Sequence, residues 1–151
     1  MPSRAESALV GASGAVETGL RLLRYRDRSA AQIDHELEAR EIGAAVREEA
    51  LETLRRTGLV DDNRFAERRA LTLAERGAGD AFIRHDLEAA GVAQDVVEDA
   101  LAGLEGEKER ALRIVERRGA SPKTARYLAG KGFSTEVVHD AIARAGDEPL
   151  G

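Results

Sequence analysis

The adjacent carboxylates Asp61 and Asp62 are the pair in this sequence best suited to hold a metal ion or to act in acid–base catalysis. A metal shell or a catalytic pair needs a further carboxylate or histidine one helical turn away, and Arg64 and Phe65 stand there instead. An aspartate at a helix N-terminus satisfies free backbone N–H groups and the helix dipole. The pair therefore predicts a structural motif, in which an aspartate caps a helix and Phe65 anchors it by packing.

The remaining candidates for chemistry stand alone. His35 and His85 each precede a leucine of an apolar face by two residues (Leu37 and Leu87), so both histidines are expected on the surface. Gly77–Gly79 lacks the lysine and the preceding strand of a phosphate-binding loop, and indicates a helix break. The sequence contains no cysteine and no set of nucleophile, base and metal ligands. It therefore predicts a protein that is not an enzyme and uses no cofactor or metal.

Basic side chains are concentrated in two segments of a chain whose net charge is -5. Four arginines lie between Arg21 and Arg28, and eight basic residues lie between Lys108 and Lys131. Two interpretations remain open: solvated helix faces with ordinary ion pairs, or a surface that meets phosphates or an acidic protein. The candidate residues for partner or DNA binding are Arg24, Arg26, Arg28, Arg113, Arg117, Lys123, Arg126 and Lys131.

A repeated apolar spacing indicates which elements position these side chains. Steps of five, four and five residues occur three times along the chain. A step of four stays on one helical face, and a step of five crosses a short break near a glycine. The three sets are Leu37, Ile42, Val46 and Leu51, then Leu87, Val92, Val96 and Leu101, then Leu128, Phe133, Val137 and Ile142. The same helical unit is therefore predicted three times.

The predicted fold is all-α, with three tandem three-helix repeats of helix-turn-helix-like units stacked into an elongated array, straight or curved. Ser29 and Gln32 predict a capping box at one helix start. Leu20 and Leu71 are among the leucines expected to face inward. The predicted divisions are a flexible N-terminal tail over 1–16, repeats over 17–59, 60–104 and 105–146, and a frayed C-terminus over 147–151.

The composition is that of a globular protein. Hydrophobic residues make up 42% and charged residues 34%, and because aromatics make up 3% the core must consist of Leu, Val, Ile and Ala. No apolar run approaches the ~20 residues of a membrane span, and no secretory signal is recognisable. The absence of cysteine fits a reducing compartment. A cytoplasmic protein without a membrane partner is expected.

A further pattern joins a glycine, apolar residues, an aspartate pair and Phe-Ala over the segment Gly58–Ala66. It is accompanied by Leu22-Leu23, Arg28-Ser29 and Leu37 before it, and by Arg76–Gly79, Ile83, Leu87 and Gly91-Val92 after it. Through these residues the sequence resembles, over about 18–145, the RecX regulators of the RecA recombinase, which typically have an aspartate pair followed by Phe-Ala.

The resemblance implies a non-enzymatic modulator of RecA, expected to inhibit, built from tandem three-helix repeats. Such a protein lies in the groove of the RecA–DNA filament, bridges neighbouring subunits, and limits filament extension, strand exchange and ATP hydrolysis. It would act in DNA repair by homologous recombination and in the SOS response. The expected partner is the RecA filament. Single-stranded DNA would be reached through the filament or bound weakly by the protein alone, which is expected to be a monomer.

The middle repeat departs from the family pattern. Many relatives have Lys or Arg around Gly77–Ile83 and before Gly91, whereas this chain has Gly79-Asp80-Ala81-Phe82 and Glu88-Ala89-Ala90. Direct DNA contact by this repeat is therefore not expected. Two other classes of protein stay open, a helical DNA-binding regulator and a generic helical protein-interaction scaffold. The acidic balance of the chain argues against the DNA-binding regulator.

Overall fold

The computed structural model describes the backbone of residues 4–147 and the side chains of residues 11–147. Residues 1–3 of the predicted tail and 148–151 of the predicted frayed end lie outside the described residues. Over the described backbone the chain forms nine α-helices and no β-strand, which confirms the all-α fold. The helices are α1 (Arg4–Tyr25), α2 (Ala30–Ala39), α3 (Ala44–Arg56), α4 (Asp62–Glu75), α5 (Asp80–Ala89), α6 (Gln94–Ala102), α7 (Glu107–Arg118), α8 (Pro122–Gly130) and α9 (Thr135–Gly146).

The helix α1 is longer than the sequence predicts. A flexible tail is expected over 1–16, whereas α1 begins at Arg4 and extends through the described part of that segment. Small residues explain the difference. Ala15 is buried, and a Cβ on Gly19 would lie 2.8 Å from Leu54 Cδ1. This small-residue face lets α1 pack closely against α3.

Serine side chains cap the N-termini of several helices. Ser29 Oγ accepts a hydrogen bond from Gln32 N at 3.1 Å, and Gln32 Oε1 accepts one from Ser29 N at 3.1 Å, so the predicted capping box is confirmed. Ser121 and Ser134 each accept from the backbone N–H three residues further on, at the starts of α8 and α9. These helix starts follow from local sequence, because the caps satisfy N–H groups that the helix itself leaves free.

Asp61 and Asp62 cap two different helices. Asp61 Oδ1 accepts from Arg64 N at 3.1 Å and caps α4. Asp62 Oδ1 accepts from Ala30 N at 2.8 Å, in the first turn of α2 and 32 residues away in sequence. Phe65 is 7% exposed and anchors the start of α4. Both carboxylates therefore satisfy backbone donors.

The chain divides into two compact units. Unit 1 holds the residues up to Phe65 together with Ala90–Val92, and unit 2 holds Ala66–Ala89 and the residues from Ala93 onward. The buried core of unit 1 is Ala15, Ala30, Ile33, Leu37, Ala50, Leu51, Leu54 and Val60. A core cluster of unit 2 joins α7, α8 and α9 through Ala111, Ile114, Val115, Leu128, Phe133, Val137, Val138 and Ala141.

The repeated leucines occupy the centres of these cores. Leu37 in unit 1 and Leu87 and Leu128 in unit 2 are each 0% exposed. Their neighbours Ile33 and Ile83 are also fully buried. The first residue of each repeated set is therefore fully buried, whereas Ile42, Val46, Val96 and Ile142 are partly buried.

Two leucines expected inside are exposed. Leu20 is 39% exposed and Leu71 is 53% exposed. Each directly follows a buried small residue, Gly19 in α1 and Ala70 in α4. One residue step rotates the side chain by about 100° around the helix axis, so both leucines are turned away from the buried face.

In unit 1, the N-terminus of α2 meets the start of α4 and the turn Ala90–Val92; we call this junction A. Ser29 Oγ donates a hydrogen bond to Ala90 O at 2.6 Å, and Asp62 accepts from the first turn of α2. Gly91 has φ +76, and a Cβ on it would overlap the Cβ of Ala31. Junction A is thus closed by a hydroxyl, a carboxylate and a close backbone approach.

In unit 2, the N-terminus of α5 meets the start of α7 and the turn between α8 and α9; we call this junction B. Glu107 Oε1 accepts from Asp80 N at 3.1 Å, and Gly79 N donates to Lys131 O at 2.8 Å. Gly132 has φ +94, and a Cβ on it would lie 2.7 Å from the backbone nitrogen of Phe82. Junction B therefore repeats the arrangement of junction A with different side chains.

Candidate functional site

The helices α7 and α8 carry most of the predicted binding residues. Arg113 and Arg117 are four residues apart and share one side of α7, which ends before Gly119 at φ +93. The helix α8 starts at Pro122, whose missing N–H is no loss in the first turn. Lys123 and Arg126 lie within α8, and Lys131 caps its C-terminus.

Three arginines and a tyrosine line one pocket of unit 2, namely Arg76, Arg117, Arg118 and Tyr127. Gly77 forms part of the same pocket, and a Cβ on it would lie 3.7 Å from both Tyr127 Oη and Lys131 Cε. The side chain of Lys131 therefore lies beside this pocket. The basic cluster is defined as Arg76, Arg117, Arg118, Tyr127 and Lys131.

The cations of the basic cluster converge without neutralising partners. The guanidinium of Arg118 stacks on Tyr127, with its Cζ 3.7 Å from the ring centroid, which is a cation–π contact. Among the described side chains, no ion pair joins any of its four cations to a carboxylate. Glu75 is the one carboxylate among the described residues that line the pocket. Convergent cations favour an anionic ligand, and the planar guanidinium binds carboxylate or phosphate with two parallel hydrogen bonds.

A groove of about 410 Å³ lies beside the basic cluster. We call it the apolar groove, and its apolar lining is Leu71, Ala74, Leu104, Ile114 and Phe133. Leu71 is 53% exposed within it. Gly77, Ile114 and Arg117 line both this groove and the pocket of the basic cluster, so the two are continuous.

Two further arginines line the apolar groove and have different surroundings. Arg113 is exposed, and its Nη2 lies 2.6 Å from Glu105 Oε1. Arg110 is 9% exposed, donates to Ala78 O at 2.8 Å, and forms an ion pair with Asp80. Arg113 therefore remains available at the surface, whereas Arg110 belongs to junction B.

Lys123 and Arg126 are exposed on α8, but neither lines the pocket of the basic cluster. Of the five predicted residues in this part of the chain, the structure brings Arg117 and Lys131 together in the cluster. Arg113 stands at the adjoining groove.

Unit 1 carries the other three predicted binding residues. Arg24 and Arg26 are exposed on either side of Tyr25, which is itself 84% exposed. Arg28 differs, because its side chain is only 14% exposed and its Nη1 lies 3.8 Å from Glu36 Oε1. Arg24, Tyr25 and Arg26 therefore form a separate surface feature at the end of α1.

Arg76, Arg118 and Tyr127 complete the basic cluster but are absent from the set of residues predicted from the sequence. A usable signal existed for the arginines, because each directly precedes a positive-φ glycine that follows a helix, Gly77 or Gly119. Equivalent positions in a repeat meet equivalent neighbours. The spacing along one helix could not reveal that Tyr127 approaches from α8.

The histidines behave as surface residues. His35, His85 and His139 are exposed. Within residues 11–147, no group of three or more His, Asp or Glu side chains is arranged to hold a metal ion. No helix in the described part of the chain is both long enough and apolar enough to cross a membrane.

Comparison with known proteins finds chains that are related in sequence. The family model "RecX, second three-helix domain" matches residues 61–101. The regulatory protein RecX of Chromohalobacter salexigens is 34% identical over 138 residues, which cover 85% of this chain and 91% of the relative. The regulatory protein RecX of Mycobacterium leprae is 37% identical over 137 residues, which cover 82% and 80%.

Solved structures share the fold. The crystal structure of RecX from Lactobacillus salivarius superposes with a TM-score of 0.79 at 20% identity, covering 91% of this chain and 98% of the other. A second crystal structure of a regulatory protein RecX gives a TM-score of 0.73 at 25% identity, covering 89% of this chain and 73% of the other. The helical repeat architecture predicted from the apolar spacing is therefore that of these structures.

Proposed function

Because this chain belongs to the RecX family of regulatory proteins, we propose that it is a non-enzymatic modulator of the RecA recombinase. It binds the groove of the RecA–DNA filament as a monomer and limits filament extension, strand exchange and ATP hydrolysis. The basic cluster is the observation that supports this function best, because it offers convergent cations to a partner that presents phosphates and acidic side chains.

The electrostatics of the cluster support a role in binding more than a role in folding. Its cations lack ion-pair partners among the described side chains, and Arg117 and Arg118 are exposed. Unpaired surface charges add little to stability, so such a concentration of them is explained by a ligand. The overall charge of -5 opposes general attraction to nucleic acid, which favours a local and specific contact with the filament.

The test is DNA-stimulated ATP hydrolysis by RecA, titrated with the wild-type protein and with the double variant Arg117→Glu/Arg118→Glu. We expect the wild type to inhibit at well below one molecule per RecA subunit. Reversing two charges at the contact should raise the concentration needed for half-inhibition by at least about tenfold, a loss of about 1.4 kcal/mol of binding.

The matched control is Lys123→Glu/Arg126→Glu, which makes the same change in net charge on exposed residues outside the pocket. We expect a smaller change in inhibition for this variant. An equal loss of inhibition in both variants would show that the net charge of the protein matters and the basic cluster does not. An absence of inhibition by the wild type, with no co-sedimentation on filaments, would refute the proposed function.

A second function, direct binding of single-stranded DNA, is favoured by one observation. Arg24 and Arg26 flank Tyr25, which is 84% exposed, and bases stack on such rings while arginines meet the backbone. Salt-dependent binding of a labelled oligonucleotide to the protein alone would support this function. Binding to filaments without binding to the free oligonucleotide would leave the filament as the sole partner.

A further inference from the structure

We propose that the apolar groove and the basic cluster together bind one segment of a protein partner, in which aliphatic side chains lie next to carboxylates. This inference rests on the proposed function, so the segment belongs to the RecA recombinase. It concerns what the site recognises: protein side chains, and not the phosphates of the DNA in the filament.

The groove lining selects aliphatic side chains. Leu71, Ala74, Leu104 and Ile114 supply most of its apolar surface, and Leu71 is half-exposed there with nothing covering it in the described chain. Nucleic-acid bases bind by stacking on aromatic faces. Phe133 is the one aromatic residue among the described residues that line the groove, and it is only 5% exposed. A base would therefore have no exposed ring on which to stack. An aliphatic side chain would bury the exposed part of Leu71 instead.

The charges at the site select carboxylates at one end of the segment. Arg117 lines both the groove and the cluster, so a chain lying along the groove leads directly to Arg76 and Arg118. Glu75 lines both the groove and the pocket of the cluster, so it would repel a phosphodiester backbone that carries a charge at every nucleotide. The second groove glutamate, Glu105, is already paired with Arg113. A peptide can present aliphatic residues beside Glu75 and place its carboxylates only against the arginines of the cluster.

Because the chain has no cysteine, Leu71→Cys provides a unique attachment point for a maleimide photo-crosslinker. We would mix the labelled protein with RecA filaments on single-stranded DNA, irradiate, and map the products by mass spectrometry. We expect cross-links to RecA, in a segment where aliphatic residues adjoin Asp or Glu. Adding Arg117→Glu to the same protein should remove most of these cross-links.

Two unlabelled variants give an independent measure. Leu71→Asp places a charge in the groove and should weaken co-sedimentation with filaments by at least about tenfold, as expected for a central apolar contact. Leu71→Met keeps an apolar side chain and should bind within about twofold of the wild type. Leu71 is half-exposed, so thermal unfolding should show both variants folded.

The outcomes separate the two proposals. Co-sedimentation of the wild type with cross-links to DNA, or with none from position 71, would overturn this inference and leave the proposed function standing. Equal binding by Leu71→Asp and Leu71→Met would overturn it as well. A wild type that does not co-sediment would overturn both.

Discussion

Junctions A and B join helices in the same geometry but use different side chains. In each, a carboxylate from the start of one helix accepts a hydrogen bond from the N-terminus of another helix: Asp62 in junction A and Glu107 in junction B. In each, a positive-φ glycine, Gly91 or Gly132, lets two backbones approach closely. The shared geometry is therefore specified by a cap and a glycine, and it survives a change in the surrounding chemistry.

The difference between the junctions lies three residues after each carboxylate. Phe65 stands there in junction A and is buried. Arg110 stands there in junction B, where it donates to Ala78 O, Glu105 O and Asp80 and lies 5.9 Å from the ring centroid of Phe133. At this position junction A therefore has a buried apolar ring, whereas junction B has a buried charge with its acceptors.

This comparison connects stability to the site. Arg110 and Phe133 line the apolar groove as well as junction B, and Lys131 belongs both to the junction, through its carbonyl, and to the basic cluster, through its side chain. The polar network of junction B therefore also fixes the walls of the groove. Junction A in unit 1 has an acidic surface pocket beside it, lined by Asp34, Glu48 and Asp62 together with Arg55.

The largest expected effect comes from removing the buried charge of junction B. Arg110→Ala leaves Asp80 without its ion pair and the carbonyls of Ala78 and Glu105 without a donor. We expect the free energy of unfolding to fall by about 3 kcal/mol, near the lower end for a broken buried pair because Asp80 is partly exposed. Urea denaturation followed by circular dichroism measures this loss.

The control is Arg113→Ala, which removes an arginine about one helical turn further along α7. Its ion pair with Glu105 is exposed. Exposed pairs contribute at most about 1 kcal/mol, so this variant should remain close to the wild type. If both variants lost the same stability, burial would not be what distinguishes Arg110, and the contrast between the junctions would fail.

The next effect tests junction A through its close backbone approach. Gly91→Ala adds a Cβ that overlaps Ala31 and sits at φ +76. Left-handed backbone strain and overpacking together should lower the free energy of unfolding by about 2 kcal/mol. The same urea titration measures it.

Gly58→Ala separates the two causes. Gly58 also has φ +76, but a Cβ on it would meet nothing within 4 Å. Only the backbone strain of about 1 kcal/mol should therefore remain. A loss at Gly58 as large as the loss at Gly91 would contradict the close approach in junction A.

The sequence predicted what depends on local or periodic information. Ser29 caps its helix through Gln32, three residues away, and the repeated leucines mark buried positions because helical periodicity is a property of the chain itself. The N-terminal part of α1 was not predictable in this way. Its alanines and glycines give no apolar period, and its position depends on packing against α3, where a Cβ on Gly11 would lie 3.4 Å from Val46.

The site was predictable only in part for a related reason. Arg117 stood out by its charge and spacing, but its neighbours Arg76 and Tyr127 come from other parts of the chain. One aspartate of the pair Asp61 and Asp62 was expected to cap the helix that follows it, but Asp62 accepts from Ala30 N in a helix 32 residues away. Contacts between helices that are distant in sequence have no signature in the spacing of either helix.

The smallest expected effect concerns the carboxylate of junction B. Burial raises the pKa of Glu107 above its ordinary value, and the hydrogen bond from the backbone N–H of Asp80 opposes this only in part. A raised pKa in the folded state means that the protonated form favours folding, and this contribution is lost as pH rises through the folded pKa. Glu107→Gln keeps an acceptor for Asp80 N without the charge. It should therefore be slightly more stable than the wild type at neutral pH, by less than about 1 kcal/mol after solvent screening.

Glu98→Gln gives the opposite sign in the same unit. The hydrogen bond from Arg84 lowers the pKa of Glu98, so its charged form favours folding above the unfolded pKa, and this contribution disappears as pH falls through the folded pKa. Glu98→Gln should therefore be less stable than the wild type at neutral pH, and Glu107→Gln more stable. Both differences should vanish in acid, because all three proteins are then neutral at these positions. Thermal unfolding from neutral pH down to acid measures both curves. If the two variants shifted in the same direction, the burial of Glu107 would not be the cause, and junction B would gain no pH dependence from that carboxylate.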